Sequence, residues 1–206
     1  MADEEISQEL FDEDIVKRNR RNTYIFVIAI VVVVIAAIVS ALLINHYVIT
    51  RYEIDGSSMY PTLIGASYDA EGNKVIGDYV YLNKSKKKYS RGDIIVFVAH
   101  VAEDGTETKY VKRVIGVGGD TVEIKDNILY VNGEKQEERY LNEPMVTDDI
   151  RVTVQDGAYF VMGDNRNHSS DSRTQWVETN HCVPVDRIIG KAFLIKHANG
   201  KLKWIK

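Results

Sequence analysis

Three short segments hold the residues whose types and spacing suit covalent chemistry. In Gly56–Leu63 (GSSMYPTL) two serines follow a glycine. A serine at a glycine-containing bend can expose its hydroxyl, and the backbone N–H that follows is free to point at an incoming carbonyl oxygen. Small polar residues before proline also make ordinary turns. In Tyr110–Asp120 (YVKRVIGVGGD) Lys112 interrupts what otherwise reads as a buried strand. Alternation puts Tyr110, Lys112, Val114 and Gly116 on one face and Val111, Arg113, Ile115 and Val117 on the other, so Lys112 or Arg113 must lie on a largely apolar face. Burial disfavours the charged form of a lysine, and an amine neutral near pH 7 is a competent general base. The alternative is an edge-strand lysine whose stem packs while its amine reaches water. Gly163–Arg173 (GDNRNHSSDSR) carries three Ser, two Asp, two Arg and two Asn, enough to pin a loop through charge-assisted hydrogen bonds.

The elements that must position these segments are strands. From Arg51 to Lys206 the apolar residues come in short alternating or β-branched runs separated by Gly, Asn and Asp, with no persistent helical period. Asp78–Asn83, Asp93–Ala99, Tyr110–Val117 and Ala158–Met162 are strand candidates. Thr121–Gln136 reads as two strands around Asp126-Asn127, with Asn132-Gly133 starting a second tight turn. Asp148–Gln155 is a polar connection with one alternating stretch, and Asn165–Asn180 is polar enough to be a long loop. The chain shows no internal repeat or low-complexity linker, so the expectation is one mainly β domain.

Ahead of that domain, Tyr24–Ile44 is a run of 21 residues in which only Ser40 and the tyrosine are polar. At about 1.5 Å per residue it is long enough to cross a hydrocarbon core of roughly 30 Å. A cleaved secretory signal is the alternative, since Val39-Ser40-Ala41 offers a small-x-small site. Leu42, Leu43 and Ile44 continue the apolar run past that site, which favours a retained anchor. Lys17, Arg18, Arg20 and Arg21 precede the run, whereas Arg51 and Glu53 cancel after it, so the N-terminal side is the cytoplasmic one. The expected division is a cytoplasmic segment over residues 1–22, acidic then basic, an anchor over 23–50, and an extracytoplasmic β-rich domain over 51–206. The last of these holds 23 of the 30 acids and 22 of the 26 bases. Near neutrality argues against nucleic acid as partner, and the run Lys84, Lys86, Lys87, Lys88 reads as a solvated turn. Cys182 is the only cysteine, so an internal disulfide is impossible and zinc-site spacings are missing.

In this order, and behind a single N-terminal span, the three segments closely resemble the bacterial type I signal peptidases, or leader peptidases. These are membrane-anchored serine proteases with a Ser/Lys dyad and a β-rich catalytic domain. The resemblance extends through Arg91–Phe97 (RGDIIVF) to Ile188–Phe193 (IIGKAF). It implies Ser58 as nucleophile, Lys112 as general base, Ser169 as hydrogen-bond partner of the lysine amine, and an Asp171–Arg173 ion pair supporting the site. It further implies that Ile54, Met59, Leu63, Tyr110 and Val111 help line pockets for small side chains. The implied substrates are preprotein signal peptides ending in A-x-A-like sequences, with membrane lipid and the secretion machinery nearby and no metal or organic cofactor. Two positions depart from the pattern. Gly56 stands where some members carry a serine whose hydroxyl completes the oxyanion hole, and His168 stands where asparagine is expected, so His168 is read as a loop residue. Rival readings are a membrane-tethered β domain that binds a partner without catalysis, and a self-cleaving repressor-type Ser/Lys peptidase. The acidic N-terminus and the span give the latter no DNA-binding segment.

Overall fold

The computed structural model describes residues 2–174 and 180–205, and of 2–16 and 44–47 the backbone alone. It forms two compact units, residues 1–46 and 47–206. The first is a single α-helix, α1 (Ala2–Tyr47). Lys17–Leu43 within it is long and apolar enough to cross a membrane. Its apolar side chains, Ile28, Ile35 and Leu42 among them, are exposed, and a helix apolar on all sides is satisfied in hydrocarbon rather than in water. Ile49 and Thr50, grouped with the anchor in the sequence reading, belong to the first strand.

The second unit is built of strands. β1 (Ile49–Glu53), β2 (Ser67–Tyr68), β3 (Lys74–Val75), β4 (Tyr79–Asn83), β5 (Ile94–Val101) and β6 (Glu107–Val117) come first. β7 (Thr121–Lys125), β8 (Ile128–Val131), β9 (Glu134–Lys135), β10 (Ile150–Thr153), β11 (Ala158–Met162), β12 (Val183–Pro184), β13 (Ile188–Lys196) and β14 (Leu202–Trp204) follow. Among the described residues they make an eight-stranded sheet in the order β1-β4-β13-β5-β6-β11-β12 with β14 beside β13, a four-stranded sheet β10-β7-β8-β9, and the small pair β2-β3. The hairpin turns follow their sequence signals. Asp126 and Asn127 take φ of 51° and 64°, and Asn132 and Gly133 take 54° and 82°, the left-handed pair that a tight hairpin demands.

β11 explains why AYFVM reads as an unbroken apolar run. All five of its residues are buried. Phe160 and Met162 pack with Val122, Ile124, Leu129 and Val131 of the smaller sheet, while Tyr159 and Val161 pack with Ile95, Phe97 and Val114. A strand covered on both faces has no polar alternation to show. The expected alternation of β6 holds only to Val114. Phe160 pairs with Gly116 but Val161 with Val114, so Ile115 is bulged out of the ladder. Val117 therefore joins Val114 in one cluster while Ile115 enters the other. Lys86, Lys87 and Lys88 are exposed, as a solvated turn requires. The expected loop Asn165–Asn180 contains a 3-10 turn, Arg166–His168, and its residues 175–179 lie outside the described ones.

Phe160 is fully buried where β11 meets both sheets. Phe160→Ala should lower unfolding stability by about 3–5 kcal/mol, read as a reduced urea midpoint with unchanged slope. A loss below about 1 kcal/mol would mean that this core does not hold the sheets together.

Candidate active site

Ser58 sits in the turn that follows β1. Tyr60 N–H donates to the Ser57 carbonyl at 3.0 Å and Leu63 N–H to Met59 O at 2.9 Å. Met59 and Leu63 are buried in the core with Ile54, Val80 and Leu82, so the turn is fixed from below by its own neighbours. Gly56, two residues upstream, has φ +80° and open space where a Cβ would stand. That conformation favours glycine, and it supplies no hydroxyl.

β6 brings Lys112 to the same place. Its Nζ lies 2.7 Å from Ser58 Oγ and 5.0 Å from the centre of the Tyr110 ring. The lysine is 3% exposed. Burial pushes the Lys112 ammonium down from the ordinary lysine value to about 8; the Asp171 and Asp164 carboxylates oppose the shift and the Arg173 guanidinium adds to it. The other cation of the pair, Arg113, is partly buried, with a matched partner. Its Nε and Nη2 donate to Asp164 at 2.8 and 2.6 Å, Nη1 donates to Gly92 O, and the guanidinium lies 4.1 Å from the Tyr140 ring centre. Both cations are thus taken from water on opposite sides of one strand, where alternation required only one.

The polar loop closes the site from β11. Asp171, fully buried, accepts Arg173 Nε and Nη2 at 2.9 Å each and Gly163 N–H at 2.9 Å. Gly163 cannot carry a side chain here, because a Cβ would collide with Ser169 Oγ and the Ser58 carbonyl oxygen. Asp164 also accepts the Thr62 hydroxyl at 2.5 Å, and Arg166, buried, pairs with Glu138. Asp164, Thr62 and Asn165 are site neighbours that sequence reasoning missed. The available signal was the arginine of the KR pair, which needs an acid, and the loop supplies one at Asp164.

A groove of about 300 Å³ runs past Ser58 and Lys112. Ile54, Tyr110, Val111, Gly56 and His168 line it. Met59 and Leu63, buried in the same core cluster as Ile54, are not among the residues that line it. His168, expected only as a loop residue, faces the groove. Ser169 departs as well: its Oγ is buried without a hydrogen-bond partner, so the expected bond to the lysine amine is missing. Among the described residues no group of three or more His, Cys, Asp or Glu side chains could hold a metal ion.

The family model "Signal peptidase, peptidase S26" matches residues 26–196. The chain is 42% identical over 147 residues to Signal peptidase I S of Bacillus subtilis (strain 168), covering 65% of this chain and 71% of that protein. It is 39% identical over 160 residues to Signal peptidase I T of the same strain, covering 73% and 75%. To Signal peptidase IB of Staphylococcus aureus (strain COL) it is 36% identical over 168 residues, covering 72% and 78%.

The Lys112 amine should titrate with a midpoint near 8, charged below it and neutral above, whereas exposed lysines titrate near 10.4. Nuclear magnetic resonance of lysine labelled at Cε reads both in one sample. A Lys112 resonance that moves only near 10 would show an amine in contact with water.

Proposed function

The chain belongs to the signal peptidase family S26, and on that premise we propose how this member works: Ser58 is the nucleophile and Lys112 the general base in removing N-terminal signal peptides from exported preproteins. The observation that carries the reading is the 2.7 Å approach of Lys112 Nζ to Ser58 Oγ by an amine lowered to about 8. At pH 7.4 such an amine is neutral in about one molecule in five, against about 0.1% for an ordinary lysine.

When the amine is neutral, the Ser58 hydroxyl donates to its lone pair. Ser58 Oγ attacks the scissile carbonyl carbon as its proton passes to Lys112, and the carbonyl oxygen becomes an oxyanion facing the Ser58 N–H, which among the described residues has no other acceptor. With Gly56 upstream, no side-chain hydroxyl joins it from that position. Lys112 then gives the proton to the leaving amine, the carbon–nitrogen bond breaks, and an acyl ester on Ser58 remains. Lys112 next takes a proton from water, whose oxygen adds to the ester carbon; the bond to Ser58 Oγ breaks as Lys112 returns the proton to that oxygen, and the signal peptide leaves.

The groove supports recognition of small residues in an extended peptide. Over Tyr110–Lys112, β6 pairs with β5 on one side, and its ladder with β11 begins only at Arg113. The other edge is open to a substrate strand, whose small side chains would meet Ile54, Tyr110 and Val111. Asp171 and Arg173 support the site by holding the Gly163 backbone. The proposed division is residues 1–22 on the cytoplasmic side, the anchor near 23–50, and 51–206 outside. The four bases before the span support that orientation, in which membrane lipid surrounds the anchor and the secretion machinery delivers the substrate.

Ser58→Ala should abolish cleavage of a labelled preprotein with the fold intact by circular dichroism, while Ser57→Ala keeps substantial activity. Lys112→Arg keeps charge and approximate length but has no accessible neutral form, so turnover should fall by about three orders of magnitude or more. A folded, active Lys112→Arg protein would refute the dyad. Protease added to intact spheroplasts should reach residues 51–206; protection until permeabilisation would reverse the orientation.

A further inference from the structure

Asn165 stands at the head of the 3-10 turn Arg166–His168, where an asparagine side chain ordinarily caps the turn's free N–H groups. Here it makes no such bond. Instead Asn165 Nδ2 reaches back across the fold and donates to the Ser57 carbonyl at 3.0 Å. Its own backbone N–H donates to the Ser58 carbonyl, also at 3.0 Å. One residue therefore holds the peptide unit on each side of the nucleophile. Asn165 is itself 9% exposed. Its neighbours are fastened on both sides: Asp164 to Arg113, Arg166 to Glu138, and Asn165 O to the His168 N–H.

Resting on the proposed roles of Ser58 and Lys112, we propose that Asn165 is a positioning residue for the transition state: by pinning the Ser57 carbonyl it aims the Ser58 N–H at the developing oxyanion. The Ser57–Ser58 peptide is trans, so its C=O and N–H point in opposite directions. Fixing the oxygen inward on Asn165 Nδ2 and Tyr60 N–H sends the Ser58 N–H outward into the groove that Ser57 and Ser58 line. Two donors on the carbonyl also polarise the shared amide and strengthen the N–H as a donor. With glycine at position 56, this N–H has no hydroxyl from that position to share the task, and its aim matters more.

The test uses the full-length protein in detergent with Asn165→Leu, which keeps approximate volume and lacks the donor, and Asn165→Ala as a second, smaller change. Removing an oxyanion donor outright costs about 100- to 1,000-fold in kcat; a misaimed donor should cost about 10- to 100-fold. We expect that loss in kcat, with KM for preprotein changed by less than about threefold and the Lys112 midpoint in the pH profile unmoved. A peptide aldehyde ending in alanine provides a readout that a merely structural role would not move. Ser58 Oγ adds to its carbonyl carbon, the hydroxyl proton passes to Lys112, and the resulting oxyanion occupies the same place as in the reaction. Its affinity should fall by the same factor as kcat. Retained kcat and aldehyde affinity, a loss confined to KM, or a shifted midpoint would each overturn the proposal. Ser58→Ala is measured alongside. An inactive Ser58→Ala beside fully active Asn165 variants removes only the role of Asn165, whereas an active Ser58→Ala removes the nucleophile as well.

Discussion

An amine held out of water without a counter-ion is the constraint on which the rest of the molecule depends. Lys112 has the Ser58 hydroxyl as hydrogen-bond partner, and among the described residues no carboxylate lies within ion-pair distance of it. Lowering a lysine from 10.5 to about 8 corresponds to something on the order of 3 kcal/mol of disfavoured charge. A structure that let the strand shift, or admitted water, would relieve that cost and return the lysine to its ordinary protonated state. Three apolar clusters prevent this: Val111, Val114 and Ile115 of the same strand each pack into a different one. Arg113 shows the contrast. It lies partly buried beside a carboxylate that matches its planar fork, so its charge is retained and its work is structural.

Residues 163–174, after β11, behave as a scaffold. Asp164, Arg166 and Asp171 are all buried, each with an oppositely charged partner. Removing one member of such a pair strands the other in the interior, which is far more damaging than never having had the pair. The Ser172 hydroxyl accepts the Val161 N–H, and Gly163 is pressed against Ser58 O with no room for a side chain. Ser58 is therefore positioned from a segment more than 100 residues away in sequence, by groups whose own geometry is over-determined.

Much of this was legible in the sequence, and its limits have physical causes. The span, the main strands and the two hairpin turns follow from hydrophobic length, alternation and left-handed residues, all of which are local. β1 escaped notice because its alternation is broken by charges and it runs on directly from the apolar run. β13 was noticed only as part of a family motif. Lys112 stood out because a lysine inside an apolar strand is costly wherever it occurs, whereas the choice of Ser58 over Ser57 came from the family resemblance. Met59 and Leu63 pack in the core beneath the groove, because an apolar residue beside Ser58 can face either the groove or the core, and adjacency in sequence does not say which. The bond expected at Ser169 depends on the rotation of one hydroxyl, on which sequence is silent. The Arg113–Asp164 pair and the Asn165 contacts join segments that meet only through tertiary folding.

The bulge at Ile115 makes the catalytic strand intolerant of changes in its length. Ahead of it, Lys112 and Arg113 occupy consecutive positions on opposite sides of β6, so insertion of a single residue between Arg113 and the bulge, with the ladder beyond the bulge held, would move Arg113 into the place of Lys112 and turn Lys112 to the other face. A guanidinium would then stand beside Ser58, and the ammonium would leave it. Both side chains would remain basic, the composition would hardly change and the sheet could still form, yet the proposed base would be gone. Point substitution along this strand can therefore be graded in its effects, whereas indels in it are all-or-none, and natural variation in strand length should collect in the turn beyond Val101 rather than between Lys109 and Ile115.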